Sequence, residues 1–121
     1  MTKAEKTRRE RKEKYENELL PMLEHMDDAQ RKAVLRNLID KIAYLTATLD
    51  EIEDETLKRG VTVKYNNGGG QEGTRIHPAV QVYSQYGKLL HANLRQFRDF
   101  LPEESGEPDE LKAFIASHDK K

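Results

Sequence analysis

The feature that most constrains the fold is a long amphipathic segment between residues 28 and 59. Large aliphatic side chains recur there at alternating spacings of three and four residues, at Leu35, Leu38, Ile42, Leu45, Leu49 and Ile52. That spacing places them along one face of a helix, as a seam on which another helix packs. A helix over 28–59 would span roughly 48 Å, longer than the diameter of a compact domain this small. Such a helix needs a packing partner along its length.

Both ends of this segment carry signals that begin or end helices. Asp27, followed three residues later by Gln30, resembles a capping box and predicts that the helix begins one residue after Asp27. At the other end, Gly60 can take the left-handed conformation that closes a helix, and the two basic residues before it suit the negative end of the helix dipole. These signals predict one continuous helix over 28–59.

The chain after Gly60 predicts a short connection and then a further helix. Residues 61–65 read VTVKY, which has the β-branched and aromatic bias of a strand, and the turn-forming sequence NNGGGQEG follows. A small β-hairpin or a loop is therefore expected. Proline suits the first turn of a helix, and the residue before it is held extended, so a helix is predicted from about Pro78 to Leu101.

This later helix carries two rows of apolar side chains. The main row contains Tyr83, Leu90, Leu94 and Phe97, and a second row contains Val82, Tyr86, Leu89 and Phe100. One antiparallel contact with the 28–59 helix covers only one row. Burying each large side chain is worth roughly 1.5–3 kcal/mol, so the other row also needs a cover. The cover is either a second copy of the chain, or the N-terminal helix or the segment Leu111, Phe114 and Ile115 folding back within one chain.

The simplest interpretation of this surplus is self-association through the two helices. The residues predicted for oligomerisation are Leu35, Leu38, Ile42, Leu45, Leu49, Ile52, Tyr83, Leu90, Leu94 and Phe97. The predicted fold class is mainly all-α: a long antiparallel helical hairpin with a small β-hairpin or loop at its tip, assembled as an oligomer. The predicted regions are a basic, partly helical segment 1–26, the hairpin and oligomerisation core 27–101, and an acidic tail 102–121 with a short helix.

The charges of the chain are segregated although its net charge is -1. Residues 1–14 carry seven basic and three acidic side chains, whereas residues 103–110 carry acidic side chains and no basic one. The basic segment could neutralise nucleic-acid phosphates, or it could be a solubilising tail. The candidate DNA-binding residues there are Lys6, Arg8, Arg9, Arg11, Lys12 and Lys14.

A second candidate cationic surface lies on the helix predicted over 78–101. Lys88, Arg95 and Arg98 share one helical face with His91, so this stripe could grip a phosphate backbone. The alternative is an ordinary solvated helix face.

The sequence offers no catalytic, cofactor or metal site. It has no cysteine, and its four histidines lie in separate segments without the spacing of a metal site. Gly68–Gly70 lacks the Lys-Ser or Lys-Thr pair of a phosphate loop, and the acidic run 50–55 is interpreted as a solvated helix face. We therefore expect no enzyme activity, cofactor or metal.

The sequence also predicts a soluble protein that is not exported. No apolar run approaches the ~20 residues that cross a bilayer, and the N-terminus lacks the apolar stretch of a signal peptide. We therefore expect no contact with a membrane.

The order of these motifs resembles the small terminase subunits of tailed bacteriophages. The resemblance covers most of residues 30–101: a helix ended by Gly60, a polar hairpin rich in asparagine and glycine, and His77-Pro78-Ala79-Val80 opening a helix with repeated leucines. It implies a helical hairpin subunit that forms a homo-oligomeric ring in the host bacterial cytoplasm. Such a subunit recognises double-stranded viral DNA and passes it to the large terminase subunit, which carries the ATPase and nuclease, and it catalyses nothing itself.

Two features depart from the family pattern. Many relatives continue after the last helix into a short motif of glycine, proline and arginine, whereas this chain reads FLPEESGEPDELKAFIASHDKK. The basic segment also has too few apolar residues for a helix-turn-helix DNA reader. The acidic tail is a hypothetical dock for the large subunit. The alternative function is a helical scaffold or adaptor that binds only other proteins.

Overall fold

A computed structural model describes residues 1–66, 68–70, 72–102 and 106–119, which form four α-helices and one small antiparallel sheet. The elements are α1 (Lys3–Leu19), a 3₁₀ turn (Leu20–Leu23), α2 (Ala29–Arg59), β1 (Thr62–Asn66), β2 (Glu72–Ile76), α3 (Pro78–Phe100) and α4 (Asp109–His118). The prediction of a mainly helical chain is confirmed. The acidic residues at 103–105, part of the predicted tail, lie outside the described residues.

Helix α2 matches the predicted helix to within one residue. Its N-cap is Asp28, whose carboxylate accepts a hydrogen bond from the backbone amide of Arg31 at 3.1 Å. The predicted cap at Asp27 was wrong by one residue, because Asp28 is the side chain that lies against the free amide three residues on. Gly60 ends the helix as predicted, and its amide donates to the Thr56 carbonyl at 2.8 Å. Its φ of 81° is positive as expected, but its ψ of -178° is extended and differs from the predicted left-handed conformation.

The connection between α2 and α3 is a β-hairpin rather than an irregular loop. Strands β1 and β2 pair antiparallel, with Thr62 opposite Ile76 and Asn66 opposite Glu72. Residues 68–70 at its tip are glycines with positive φ, a conformation that side chains with a Cβ rarely adopt.

Helix α3 begins at Pro78 as predicted, and His77 caps it. The Nδ1 atom of His77 accepts a hydrogen bond from the Ala79 amide at 3.0 Å. The backbone amide of His77 also donates to the Val61 carbonyl at 2.7 Å, which ties the start of α3 to the chain leaving α2. The helix ends at Phe100, one residue before the predicted end.

One hydrophobic core receives side chains from all four helices. Helices α2 and α3 supply most of it, and the other contributors are Tyr15 and Leu19 from α1, Leu23 from the 3₁₀ turn, Leu101 just after α3, and Leu111 and Phe114 from α4. Folding back of the N-terminal helix and of the segment around Phe114 was the within-chain alternative considered from the sequence. Both segments do cover apolar surface of the same chain.

The seam that the sequence assigned to subunit contacts lies largely inside this single chain. Its buried members are Leu35, Ile42, Leu45, Leu49, Ile52, Leu90, Leu94 and Phe97, and Leu38 and Tyr83 are half-buried. The assignment of these residues to oligomerisation is therefore corrected, because α1 and α4 pack over the core that α2 and α3 begin. Self-association stays a prediction, and the eight buried side chains are not free to contact a second copy.

Helix α2 contacts α1 as well as α3. Near its start, the Arg31 guanidinium lies 5.7 Å from the centroid of the Phe100 ring at the end of α3. Farther along, the Tyr44 and Tyr86 rings lie 6.1 Å apart between centroids.

Within the described residues, we find no helix long and apolar enough to cross a membrane.

Candidate functional site

The basic face of α1 lies against acidic residues of α2. The Nε atom of Arg8 is 3.0 Å from a Glu51 carboxylate oxygen, and the Nη2 atom of Arg11 is 2.9 Å from an Asp54 oxygen. The acidic run 50–55 was interpreted from the sequence as a solvated face. The Glu51 and Asp54 side chains are indeed solvated, being 47% and 66% exposed, and their carboxylates also pair with the arginines of α1, which the sequence did not indicate.

Lys12 joins α1 to α2 at a third point. Its Nζ atom lies 2.6 Å from an Asp40 oxygen and 3.1 Å from a Glu16 oxygen. The hydrogen bond to Asp40 raises the pKa of the Lys12 ammonium above its usual value, and Glu16 adds to the rise while burial opposes it. The lysine is therefore held in its charged form between two carboxylates.

Tyr15 is the buried anchor of the same contact. Its hydroxyl donates a hydrogen bond to the Asp50 carboxylate. Burial raises the pKa of this hydroxyl well above its usual range, and the bond to Asp50 raises it further because a second negative charge beside the carboxylate is unfavourable. Asp50 thus also belongs to the α1 contact and not to a solvated face.

The other predicted cations of α1 lie apart from these contacts. Arg9 pairs with Glu5 of the same helix at 2.9 Å. Lys6 and Lys14 are exposed, and the Lys14 ammonium lies 5.6 Å from the centroid of the Tyr15 ring. Of the six predicted DNA-binding residues of α1, three bind carboxylates of α2. The other three are exposed or pair within α1.

The cationic stripe predicted on α3 is divided as well. Lys88 and Arg95 are exposed, and Arg98 lies 3.7 Å from its neighbour Asp99. His91 instead contacts the C-terminal segment, with its Nδ1 atom 3.0 Å from a carboxylate oxygen of Asp119. The part of this stripe open to a partner is therefore centred on Lys88 and Arg95.

Helix α4 is held by an aromatic cluster that the sequence did not reveal. The Phe114 ring meets the Tyr15 ring edge to face at 6.0 Å, and the His118 ring lies 4.8 Å from Tyr15. The Nε2 atom of His118 also lies 3.6 Å from a carboxylate oxygen of Glu18. Four histidines in separate segments gave no pairing signal, because their partners are far away in the sequence.

A set of exposed and half-buried apolar side chains lies on α2 and α3, which meet at the Tyr44–Tyr86 contact. We call it the outer ridge; its exposed members are Val34, Tyr44, Leu89 and Phe100, and its half-buried members are Val82 and Tyr86. The stretch of α3 from Tyr86 to Phe100 spans roughly 21 Å. Leu89 and His91 point about 160° apart on α3, so the ridge lies on the side of α3 away from the Asp119 contact.

The ridge consists mainly of the second apolar row that the sequence identified on α3. The Leu89 side chain is 51% exposed. The Tyr44 and Tyr86 hydroxyls lie 3.5 Å apart and link the α2 and α3 sides of the ridge. A separate exposed apolar patch lies at the base of the β-hairpin, formed by Leu57, Val61 and Ile76.

Across the described ranges, no group of three or more histidine, cysteine, aspartate or glutamate side chains could hold a metal ion. Comparisons with protein-family models, with curated proteins and with solved structures found no match to this chain. The functional interpretation therefore rests on the two surfaces described above, the cationic contact of α1 with α2 and the outer ridge.

Proposed function

We propose that this chain is a small terminase subunit of a tailed phage or prophage. In this proposal it forms a homo-oligomeric ring, binds double-stranded viral DNA and delivers it to the large terminase subunit. The sequence resemblance over most of residues 30–101 supports the proposal, as do the packing of α2 on α3 and the β-hairpin that connects them in the chain. The observation that carries it is the outer ridge.

The outer ridge has the character of a surface that another chain covers. Its members are large, and the three aromatic ones, Tyr44, Tyr86 and Phe100, belong to the residue types enriched in protein interfaces. Full burial of such a side chain is worth roughly 1.5–3 kcal/mol, so covering the exposed halves of several adjacent ones favours association. A second copy of this chain is the partner in our proposal.

Particle mass tests the subunit contact. We expect light scattering to give a mass of several chains for the wild type, and Leu89→Asp to reduce it because a charge would be buried in the contact. Leu57→Asp is the matched control, since Leu57 is 86% exposed and lies outside the ridge. A wild-type particle of one chain at high concentration, or dissociation by Leu57→Asp alone, would contradict the proposed role of the ridge.

DNA binding in the proposal is mainly electrostatic. Lys6 and Lys14 on α1 and Lys88 and Arg95 on α3 present exposed charges to phosphates. A ring would repeat these charges around one axis, so their fields would add.

The salt dependence of duplex binding tests this electrostatic role. We expect affinity to fall steeply with salt, and we expect Lys88→Ala/Arg95→Ala to reduce the slope of log K against log salt by about 0.9 for each phosphate that these side chains bind. The reference is Lys58→Ala/Lys112→Ala, which removes two exposed lysines outside the predicted sites. Affinity independent of salt would contradict DNA binding.

The large terminase subunit is proposed to dock on the outer face of α4. Leu111 and Phe114 of this helix point into the core, which leaves Asp109 and Glu110 exposed at its start. If the proposal is correct, Asp109→Asn/Glu110→Gln should weaken capture of the large subunit without changing the particle mass. Unchanged capture of the large subunit would indicate that it binds a different surface.

A second candidate function is a helical scaffold or adaptor that binds only proteins. One observation favours it: Arg8, Arg11 and Lys12, half of the predicted α1 cations, are already paired with carboxylates of α2. The particle mass with and without viral DNA distinguishes the two functions. A multimeric particle that gains no mass with viral DNA at low salt would support the adaptor, and a gain in mass would support the terminase subunit.

A further inference from the structure

The first half of α1 is attached to α2 by charge, and the second half is attached by packing. The buried side chains of α1 are Tyr15 and Leu19, both near its C-terminal end. The earlier turns reach α2 through side chains of Arg8, Arg11 and Lys12, which remain partly exposed. The two halves of α1 therefore differ in what holds them.

A cleft separates α1 from α2 where the ion pairs bridge them. It has a volume of about 300 Å³, with Tyr44, Ala47 and Thr48 of α2 on one side and Arg8 and Lys12 of α1 on the other. The ion pair of Arg8 with Glu51 lies at this cleft, and Lys12, which also lines it, pairs with Asp40.

Such an attachment is weak and sensitive to its ionic surroundings. Exposed ion pairs contribute little to stability, and dissolved salt screens them, whereas buried apolar contacts are hardly affected by salt. The Tyr15 and Leu19 contacts should therefore stay in place when the Arg8 and Arg11 pairs open.

The groups bound to the arginines are chemically similar to a nucleic-acid backbone. A guanidinium binds the paired oxygens of a carboxylate and those of a phosphate with the same planar fork. In this structure Glu51 supplies both carboxylate oxygens to the Nε atom of Arg8, at 3.0 and 3.1 Å. A phosphate that took both the Nε and Nη groups of this arginine in a planar fork would displace Glu51 from the Nε atom.

We propose that Asp40, Glu51 and Asp54 of α2 occupy the phosphate-binding groups of α1, so that a nucleic-acid polyanion binds Arg8, Arg11 and Lys12 by exchanging with these carboxylates and releasing the first half of α1. This inference rests on the proposed DNA-binding function and adds its regulation. In the free chain this cationic face is paired with carboxylates of α2, although its side chains stay partly exposed. A dense array of phosphates opens these pairs, whereas a single weak anion competes poorly against three carboxylates.

Two matched double variants separate release of α1 from a simple change of charge. Glu51→Gln/Asp54→Asn removes two carboxylates that bind the arginines. Glu10→Gln/Glu13→Gln removes the same number of charges from exposed positions on α1 itself. We expect the first variant to bind duplex DNA roughly three- to tenfold more tightly than the second, because each exposed pair is worth only a factor of a few.

Hydrogen exchange provides a readout that needs no DNA. In Glu51→Gln/Asp54→Asn, the amides of residues 6–12 should exchange faster than in the wild type while those of α2 and α3 stay protected. They should be unchanged in Glu10→Gln/Glu13→Gln. Equal exchange of α1 in the two variants would overturn the inference, because the carboxylates would then not hold the helix.

A cross-link tests the need for α1 to move. The chain has no cysteine, so Glu5→Cys/Thr48→Cys places the only two thiols on opposite sides of the cleft. Joining them with a short bis-maleimide should weaken duplex binding roughly three- to tenfold relative to the same protein capped with N-ethylmaleimide, since the α1–α2 pairs can then no longer open freely. Equal affinity of the two forms would overturn the inference.

The proposed function and this inference fail in different ways. Binding of duplex DNA by the wild type, with no tighter binding by Glu51→Gln/Asp54→Asn than by its control, overturns the exchange of carboxylates alone. An absence of duplex binding at low salt in all variants overturns the DNA-binding function and the inference with it.

Discussion

Replacing Tyr15 by phenylalanine tests how α1 is anchored to the rest of the chain. The Tyr15 ring is only 5% exposed and contacts Phe114 and His118 of α4. Its hydroxyl donates to Asp50 of α2. Phenylalanine keeps the ring contacts and removes the hydroxyl, so the substitution isolates one hydrogen bond that joins two helices.

The size of the effect follows from the charge of the acceptor. A hydrogen bond to a charged group contributes roughly 1.5–3 kcal/mol, and its loss leaves the Asp50 carboxylate partly buried without this donor. For a chain of 121 residues, an unfolding entropy of about 2.1 cal/mol/K per residue gives about 0.25 kcal/mol/K in total. We therefore expect Tm to fall by roughly 6–12 °C.

The difference in unfolding free energy between the wild type and Tyr15→Phe should also depend on pH, which provides a second test. The Tyr15 pKa is raised above its ordinary value of 10.0 by burial and by Asp50, so folding favours the neutral hydroxyl. The resulting stabilisation is complete below pH 10 and is lost as pH rises toward the folded pKa, because the unfolded phenol ionises first. The difference in unfolding free energy between the wild type and Tyr15→Phe should therefore narrow above pH 10.

Thermal melts followed by circular dichroism, repeated from pH 8 to pH 11, measure both effects. Tyr65→Phe is the matched control, because Tyr65 is an exposed tyrosine of the β-hairpin and its change should shift Tm by little. A Tyr15→Phe melt equal to that of the wild type, or a difference that grows with pH, would refute the assigned anchoring role.

Three further substitutions test the ends of α2 and the core. Asp28→Ala should lower the free energy of unfolding by about 1 kcal/mol in urea titrations, because it removes the cap on the Arg31 amide. Gly60→Ala should cost roughly 1–3 kcal/mol by the same assay, because φ is 81° with ψ at -178°, a conformation almost confined to glycine. Leu94→Ala should cost roughly 2–5 kcal/mol through a core cavity, whereas Val61→Ala, at an exposed position, should cost far less.

Helices α2 and α3 could be predicted from the sequence because their signals are local. The leucine and isoleucine spacing, Gly60 and the His77-Pro78 pair each act within a few residues, and the structure places the helix ends within one residue of the predictions. The error of one residue in the predicted cap at Asp27 arises because a local signal alone cannot choose between neighbouring residues of the same type. Two adjacent aspartates are both good caps, and only the path of the preceding chain decides between them.

The docking of α1 and α4 could be named from the sequence only as an alternative to self-association, because it depends on where the chain reverses. Helix α1 offers Tyr15 and Leu19 as its buried side chains, too few for a clear amphipathic pattern. The 3₁₀ turn at Leu20–Leu23 then sends α2 back along α1. With α1 and α4 in place, the seam that was predicted to need a second subunit is covered within one chain.

The sequence predicted the charged residues of the candidate site but not their pairing. The basic face of α1 and the acidic face of α2 were each apparent, but their pairing joins residues about forty positions apart. One signal could have revealed it: Arg11 and Tyr15 are one helical turn apart, as are their partners Asp54 and Asp50. Complementary groups at matching spacings on two amphipathic helices favour a packed pair over two solvated faces.

The proposed exchange of carboxylates at α1 predicts how salt acts on the proposed DNA binding. Counterion release makes affinity fall as salt rises, with a slope of about -0.9 per phosphate contact. The same salt screens the Arg8–Glu51 and Arg11–Asp54 pairs, which frees cations for DNA and partly offsets that fall. The slope for the wild type should therefore be shallower than the slope for Glu51→Gln/Asp54→Asn, in which those arginines are free at every salt concentration. If the substitutions acted only by removing two negative charges, affinity would rise but the two proteins would show the same slope of log K against log salt. A shallower slope for the wild type therefore indicates that α1 opens.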